Sequence, residues 1–328
     1  MKAIIIQDDQ SLVWQETETP EPGPGEVRIK VKATAINRAD LMQRAGLYPP
    51  PPGASKILGL ECFGEIESIG ESDPNDPIVL KPGDPVCALL SGGGYAEYVV
   101  CPASHCIPVP SSYENPTEFA GFAEVYATIY LNLFMEAGLT SGDQILLHAG
   151  ASGIGTAAIQ VCKAKGIESF VTVGSQDKLS ACLNLGATAG TIRGEESFSS
   201  KTKDWTKGQG FTAILDPVGG NYLNDNIRSL TVDGRLIVIG LMGGVKAELD
   251  IGRLLVKRLR VVGSTLRSRS KDQKTEIVNG VIEQILPEVN RGNISLITDK
   301  TFTIQDIEEA FKYVGANQNI GKVLLTLP

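Results

Sequence analysis

Residues 144–178, which run Q-I-L-L-H-A-G-A-S-G-I-G-T-A-A-I-Q and on to F-V-T-V-G-S-Q-D-K, constrain the fold more than any other part of this chain. Ile145, Leu146 and Leu147 make an apolar run of strand length. Ile154, Ala158, Val161 and Cys162 then repeat at helical spacing, just beyond a glycine-rich turn. Strand, tight turn, helix and second strand in that order describe a βαβ unit of a parallel sheet. The turn, Gly150-Ala151-Ser152-Gly153-Ile154-Gly155, is spaced G-x-x-G-x-G and so departs from the commoner G-x-G-x-x-G. Glycine there lets backbone approach a pyrophosphate, and the unpaired amides of a helix start supply donors and partial positive charge. Glycine also serves a tight turn or close helix–strand packing, so spacing alone is weak. The placement between strand and helix favours a dinucleotide site.

The second strand of such a unit, about 20 residues on, ordinarily ends in Asp or Glu when the ribose carries a free 2′-hydroxyl. Here it ends Val173-Gly174-Ser175, with Lys178 one helical turn later and Arg193 just beyond the third candidate strand. A carboxylate would repel a 2′-phosphate, whereas a hydroxyl and two cations bind one. Ser175, Lys178 and Arg193 together point to NADPH rather than NADH.

With 42% hydrophobic and 21% charged residues over 328 positions, the chain has the composition of a soluble protein large enough for two domains. Its apolar runs are strand-sized, and Met1 to Gln10 lacks a basic-then-apolar leader, so a cytoplasmic protein without membrane segments is expected. A formal charge of −8 offers no electrostatic footprint for nucleic acid. The six cysteines form no Cys-x-x-Cys pair and sit in apolar segments, which favours reduced core thiols.

The first third is rich in Pro, Gly and short alternating segments such as Glu26 to Ala33 and Gly94 to Val100, an all-β texture. From about Tyr126 to Leu266 strands alternate with helices. The expected strands are Gln144 to Ala149, Ser169 to Val173, Thr188 to Ile192, Thr212 to Asp216, Arg235 to Gly240 and Leu259 to Gly263. A helix near Lys274 to Val289, a strand at Lys300 to Thr303, a helix near Ile304 to Val314 and a strand at Lys322 to Leu327 complete the tail. The expected domains are thus 1–125 with 267–328, and 126–266. Leu259 to Gly263 is the expected sheet edge, and unpaired edges invite pairing with a second copy across a two-fold axis.

Several separated segments carry a family resemblance: Asn37-Arg38-Ala39-Asp40-Leu41-Met42-Gln43-Arg44, Gly46-Leu47-Tyr48-Pro49-Pro50-Pro51, Gly59-Leu60-Glu61, Lys81-Pro82-Gly83-Asp84, the glycine turn and Gly240-Leu241-Met242-Gly243-Gly244. In that order the chain resembles the medium-chain dehydrogenase/reductase superfamily, specifically its zinc-free quinone oxidoreductase branch. The resemblance covers essentially the whole chain. It implies an α/β protein with a GroES-like β-barrel catalytic domain, a Rossmann doubly wound parallel sheet and an active site in the cleft. Zinc enzymes of the superfamily carry Cys and His where this chain has Asn37 and Leu60, and neither an amide nor a leucine replaces those ligands. No metal is expected.

Without a Lewis acid, quinones and activated alkenes are the suitable hydride acceptors, because their incoming charge is delocalised onto a conjugated oxygen. The resemblance implies NADPH-dependent reduction of a small quinone, with Asn37 donating to the acceptor oxygen and Tyr48 stacking or donating its hydroxyl. It further implies cofactor contacts from Thr128, Gly240, Leu241 and Met242, and from Asn317, Gly321 and Lys322 on the returning tail. Core filling competes for Leu241 and Met242. Glu61 is a candidate partner for Arg38 or Arg44. Relatives also imply a homodimer. An alkenal or enone reductase, or a non-enzymatic NADPH-binding structural or RNA-associated protein, are the alternatives.

Overall fold

The computed structural model describes residues 1–71, 80–111 and 113–328. These divide into two compact units, one built from Met1–Ala127, Leu266–Asn290 and Leu296–Pro328, the other from Thr128–Thr265 and Arg291–Ser295.

The first unit opens with strands β1 (Lys2–Ile6), β2 (Leu12–Glu16), β3 (Glu26–Ala35), β4 (Glu61–Ile69), β5 (Pro85–Leu89), β6 (Tyr98–Pro102) and β7 (Cys106–Pro108). Alternation explains β3: Val27, Ile29, Val31 and Ala33 are buried while Lys30 and Lys32 face out. The second unit contributes β8 (Gln144–His148), β9 (Glu168–Val173), β10 (Ala189–Ile192), β11 (Phe211–Asp216), β12 (Leu230–Val238) and β13 (Arg260–Gly263). The chain then returns to the first unit as β14 (Thr298–Thr303) and β15 (Lys322–Thr326).

Among the described residues the first unit's main sheet runs β14-β15-β3-β4-β5-β7, with β6 also paired to β3. Insertion of β15 beside β3, Leu324 opposite Ala35, brings Lys322 close to Asn37. The second unit's sheet has the order β10-β9-β8-β11-β12-β13 with parallel pairings. Strand order reverses between β8 and β11, and the carboxyl ends of strands at such a reversal form the ligand crevice of doubly wound sheets. Leu146, Phe170, Phe211, Ile214, Ile227 and Leu236 fill one face of this sheet.

Three expected elements differ most at their boundaries. β12 begins five residues early because Asp233, at φ 62°, turns within the strand, and Thr-Val-Asp-Gly looks like a loop in sequence. The helix expected from Lys274 begins at Lys271, where Ser270 and Gln273 cap each other's amides. It stops at Gln284, and Leu286–Asn290, which contains Pro287, forms a separate turn. The strand expected from Gly94 begins at Tyr98, after a run of three glycines.

Candidate active site

In the first unit, Asn37 precedes the helix Arg38–Arg44, and its own amide donates to Asp40 Oδ2 at 2.8 Å. Asp40 is buried, accepting also from Gly59 N at 3.0 Å and the Tyr95 hydroxyl at 2.9 Å. Burial pushes its carboxyl up to about 6 against these donors. Gly59 is required here: its φ is +98°, and a Cβ would lie 2.6 Å from the Tyr95 ring. The helix start and the turn into β4 are thereby tied together, and Glu61 is delivered opposite Asn37.

Glu61 is fully buried, and its two oxygens have three donors. Oε1 accepts from Asn37 Nδ2 at 2.9 Å and from Lys322 Nζ at 2.8 Å, while Oε2 accepts from Glu124 N at 2.9 Å. Lys322 Nζ donates further to Asn37 Oδ1 at 2.8 Å and Ile36 O at 3.1 Å. The expected pairing of Glu61 with Arg38 or Arg44 is therefore corrected: Arg38 bonds Asn317 and Arg44 pairs with Glu308. Lys322 is better placed than either arginine because β15 lies beside β3. All three Lys322 protons are directed to this cluster. Asn37 has its oxygen fixed toward the ammonium and one N–H on glutamate, and its second N–H has no partner among the described residues.

Tyr48 is half-buried on the loop after that helix, its ring 5.5 Å from the Arg267 guanidinium carbon. Desolvation, and then the charge of Glu124, raise its hydroxyl above the ordinary tyrosine range, with Arg267 opposing. Glu124 is pushed up to about 8, first by desolvation and then by the charge of Glu61, so it holds its proton at neutral pH. Glu124, Arg267 and Lys274 were invisible to sequence reasoning, since nothing in their local spacing marks them. Asn317 lies in the first unit at φ 53°, and Gly321, at φ 88°, precedes β15.

In the second unit, Gly150 to Gly155 occupy the end of β8 and the start of the helix Gly153–Ala164. Ser152 caps that helix by accepting from Gly155 N at 3.1 Å. A Cβ at Gly155 would lie 2.4 Å from Gly150 O, so backbone passes backbone here without room for a side chain. Ser175 likewise caps the helix Gln176–Leu185 through Lys178 N at 3.4 Å, a local task its hydroxyl performs while retaining a proton to donate. Arg193 N bonds Val173 O at 2.8 Å, and its guanidinium lies 3.9 Å from where a Gly174 Cβ would stand. Gly174, Ser175 and Arg193 thus converge at the end of β9, with Lys178 one turn along. Tyr222, not anticipated, joins them: burial raises its hydroxyl pKa and the charge of Arg193 pulls it back.

At the end of β11, Asp216 Oδ1 accepts from Val218 N at 2.7 Å and Gly219 N at 3.0 Å. Its Oδ2 accepts from Asn226, which also contacts His148 Nε2 at 2.7 Å. Burial pushes His148 down to about 4, so the ring is neutral in this network. The fixed loop Pro217–Gly219 supports Gly240 to Gly243 through Met242 N to Pro217 O at 3.2 Å and Gly243 N to Val218 O at 2.6 Å. Leu241 and Met242 are half-exposed beyond it, so they are not core filling. Thr128 is buried beside a π-helical stretch, Tyr130–Glu136, where Asn132 Nδ2 donates to its carbonyl at 2.7 Å.

Two family descriptions match, "Alcohol dehydrogenase GroES-like domain" over residues 23–111 and "Zinc-binding dehydrogenase" over residues 153–282. The chain belongs to the medium-chain dehydrogenase/reductase superfamily. As a superfamily member it is an oxidoreductase with a GroES-like domain and a parallel Rossmann sheet. Among curated relatives, the Quinone oxidoreductase-like protein 2 homolog of Nematostella vectensis is 27% identical over 292 residues, 88% of this chain and 78% of the relative. The chain spans 63% of the Danio rerio Synaptic vesicle membrane protein VAT-1 homolog, at 28% identity. A solved quinone oxidoreductase of Pseudomonas syringae pv. Tomato DC3000 is 25% identical, with a TM-score of 0.85 and 99% of each chain covered. Mycobacterial Rv1454c complexed with NADPH is 25% identical, with a TM-score of 0.87, covering 99% of this chain and all of that one. No helix among the described residues is long and apolar enough to cross a membrane.

Proposed function

We propose that this member of the superfamily is an NADPH-dependent quinone oxidoreductase that works without a metal. The observation that carries the reading is the Asn37–Glu61–Lys322 cluster. The Lys322 ammonium sits between Asn37 Oδ1 and Glu61 Oε1, and the neighbouring Leu60 offers no metal-binding atom in its side chain. Such a site holds a fixed cation but cannot coordinate zinc with thiolate and imidazole. It suits an acceptor whose own conjugation spreads the incoming charge. NADPH when bound supplies the hydride. The free Asn37 N–H and the Tyr48 hydroxyl orient the acceptor oxygen and stabilise the charge that develops there.

For the cofactor, the close-packed Gly150–Gly155 crossing and the helix start behind it suit a pyrophosphate. Ser175, Lys178, Arg193 and Tyr222 suit a 2′-phosphate, supported by the NADPH bound to the mycobacterial relative. Replacing Lys178 and Arg193 together with alanine is expected to raise the Michaelis constant for NADPH at least roughly tenfold more than that for NADH. Equal changes would refute the phosphate reading. Stopped-flow oxidation of NADPH with an ortho-quinone, a para-quinone and a 2-alkenal tests the acceptor class: a fast enal with inert quinones would transfer the reading to enone reduction. The assembly proposed is a homodimer through the β13 edge.

A further inference from the structure

Two cations near Tyr48 have no function in the scheme above. Arg267 and Lys274 are each only 3% exposed, one on the segment after β13 and the other on the helix Lys271–Gln284. Both converge on the loop before β6: Arg267 Nε donates to Ser91 O at 2.9 Å and Lys274 Nζ to Ser91 Oγ at 2.5 Å. Arg267 Nη1 reaches Tyr48 O at 3.4 Å, and its buried Nη2 has no hydrogen-bond partner among the described residues.

A guanidinium cannot shed its proton, so a buried, unpaired N–H of this kind keeps its full desolvation cost. Of the two acids whose charge Arg267 feels, Asp40 is engaged by Asn37, Gly59 and Tyr95, and Glu124, which Lys274 also faces, is pushed up to about 8; neither gives Arg267 Nη2 a hydrogen-bond acceptor. Desolvation lowers the pKa of both cations, and the charge of Arg267 lowers that of Lys274 further. The missing element is an anion with oxygen acceptors, and the Tyr48 ring over the guanidinium is the side chain that would shift to admit it.

We propose that Arg267 and Lys274 form an anion-recognition subsite for the acceptor, so that the preferred substrate is a conjugated, planar molecule bearing a carboxylate or sulfonate. This rests on the quinone reductase reading only for its turnover arm. Arg267 would present Nη2 to the anionic oxygen and Lys274 a second charge, a combination worth tenfold or more in affinity for charge-assisted hydrogen bonds.

Calorimetric titration of benzoate, which cannot be reduced, into the full-length chain tests the subsite without turnover. Binding is expected, weakening between about 20 mM and about 300 mM salt, and weakening roughly tenfold in Arg267→Met and less in Arg267→Lys. In turnover, the ratio of kcat/KM for 1,4-naphthoquinone-2-sulfonate over neutral 1,4-naphthoquinone should exceed one, and Arg267→Met and Lys274→Gln should each lower it. Salt-independent or absent benzoate binding by the unmodified chain, or a ratio unchanged in both variants, would overturn the proposal. Benzoate binding that responds to salt and to Arg267→Met, together with no reduction of either quinone, would uphold the subsite and remove the quinone reading instead.

Discussion

Glu124 keeps a proton that an unfolded chain gives up. Its carboxyl faces Glu61 and Asp40, which repel its charge, and Lys322 and Lys274, which attract it; Arg267 and Tyr48 also feel it. Because the folded pKa is raised from 4.5 to about 8, the folded state binds more protons between those values, and its stability falls as pH rises through that window. Glu124→Gln should therefore match the unmodified chain near pH 5 and exceed it at pH 9, by on the order of 2 kcal/mol after allowing for partial hydration. Urea unfolding at the two pH values checks this; an equal difference at both would show that the group titrates normally. Lys322 is the opposite case. Lys322→Met would strand the buried Glu61 charge at a cost of about 3–5 kcal/mol, and adding Glu61→Gln to it should recover part of that loss in the same measurement. Asn37 and Leu60 were legible as a departure from zinc ligation because their neighbours are a short, ordered motif. Lys322 was legible as a residue of the returning tail, expected there as a cofactor contact, but not as the ammonium of that cluster. Its partner stands 261 positions earlier in the chain, and only strand pairing brings them together.

Strand β13 ends the parallel sheet with an unpartnered side among the described residues, and Val261 on it is exposed. The short helix before it, Ile251–Val256, exposes Ile251, Leu255 and Val256. An unpaired edge beside exposed apolar side chains is the geometry that a second copy covers by antiparallel pairing across a two-fold axis. Light scattering should give a dimeric mass, and Val261→Lys should shift it toward the monomer; a monomeric mass for the unmodified chain would reject the arrangement. The six parallel strands were readable because each is an apolar run bounded by turn residues and followed by helical periodicity. The boundary errors came from Asp233, which turns without glycine, and from the Ser270–Gln273 capping pair, which extends a helix into a polar stretch. The absence of an acid beside Ser175 and Lys178 was readable, whereas the nearness of Tyr222 to Arg193 was not, because it depends on how two separate loops fold back.

In the whole molecule, β15, which follows every other described strand in chain order, lies between β14 and β3 in a sheet whose other main members come from the first 108 residues. The second unit, by contrast, is nearly complete once residue 265 is made and finishes with Arg291–Ser295, whose Ser295 exchanges two hydrogen bonds with Gln160. Synthesis therefore runs against assembly: the middle of the chain is ready to fold before its beginning can close. Deleting residues 322–328 should leave the first unit open to protease while a fragment around residues 128–295 resists it. Equal protection of both would show that the sheet closes without its final strand. A nascent chain of this protein would spend the time taken to translate more than two hundred residues with Glu61 waiting for its lysine, the interval in which a chaperone has most to do.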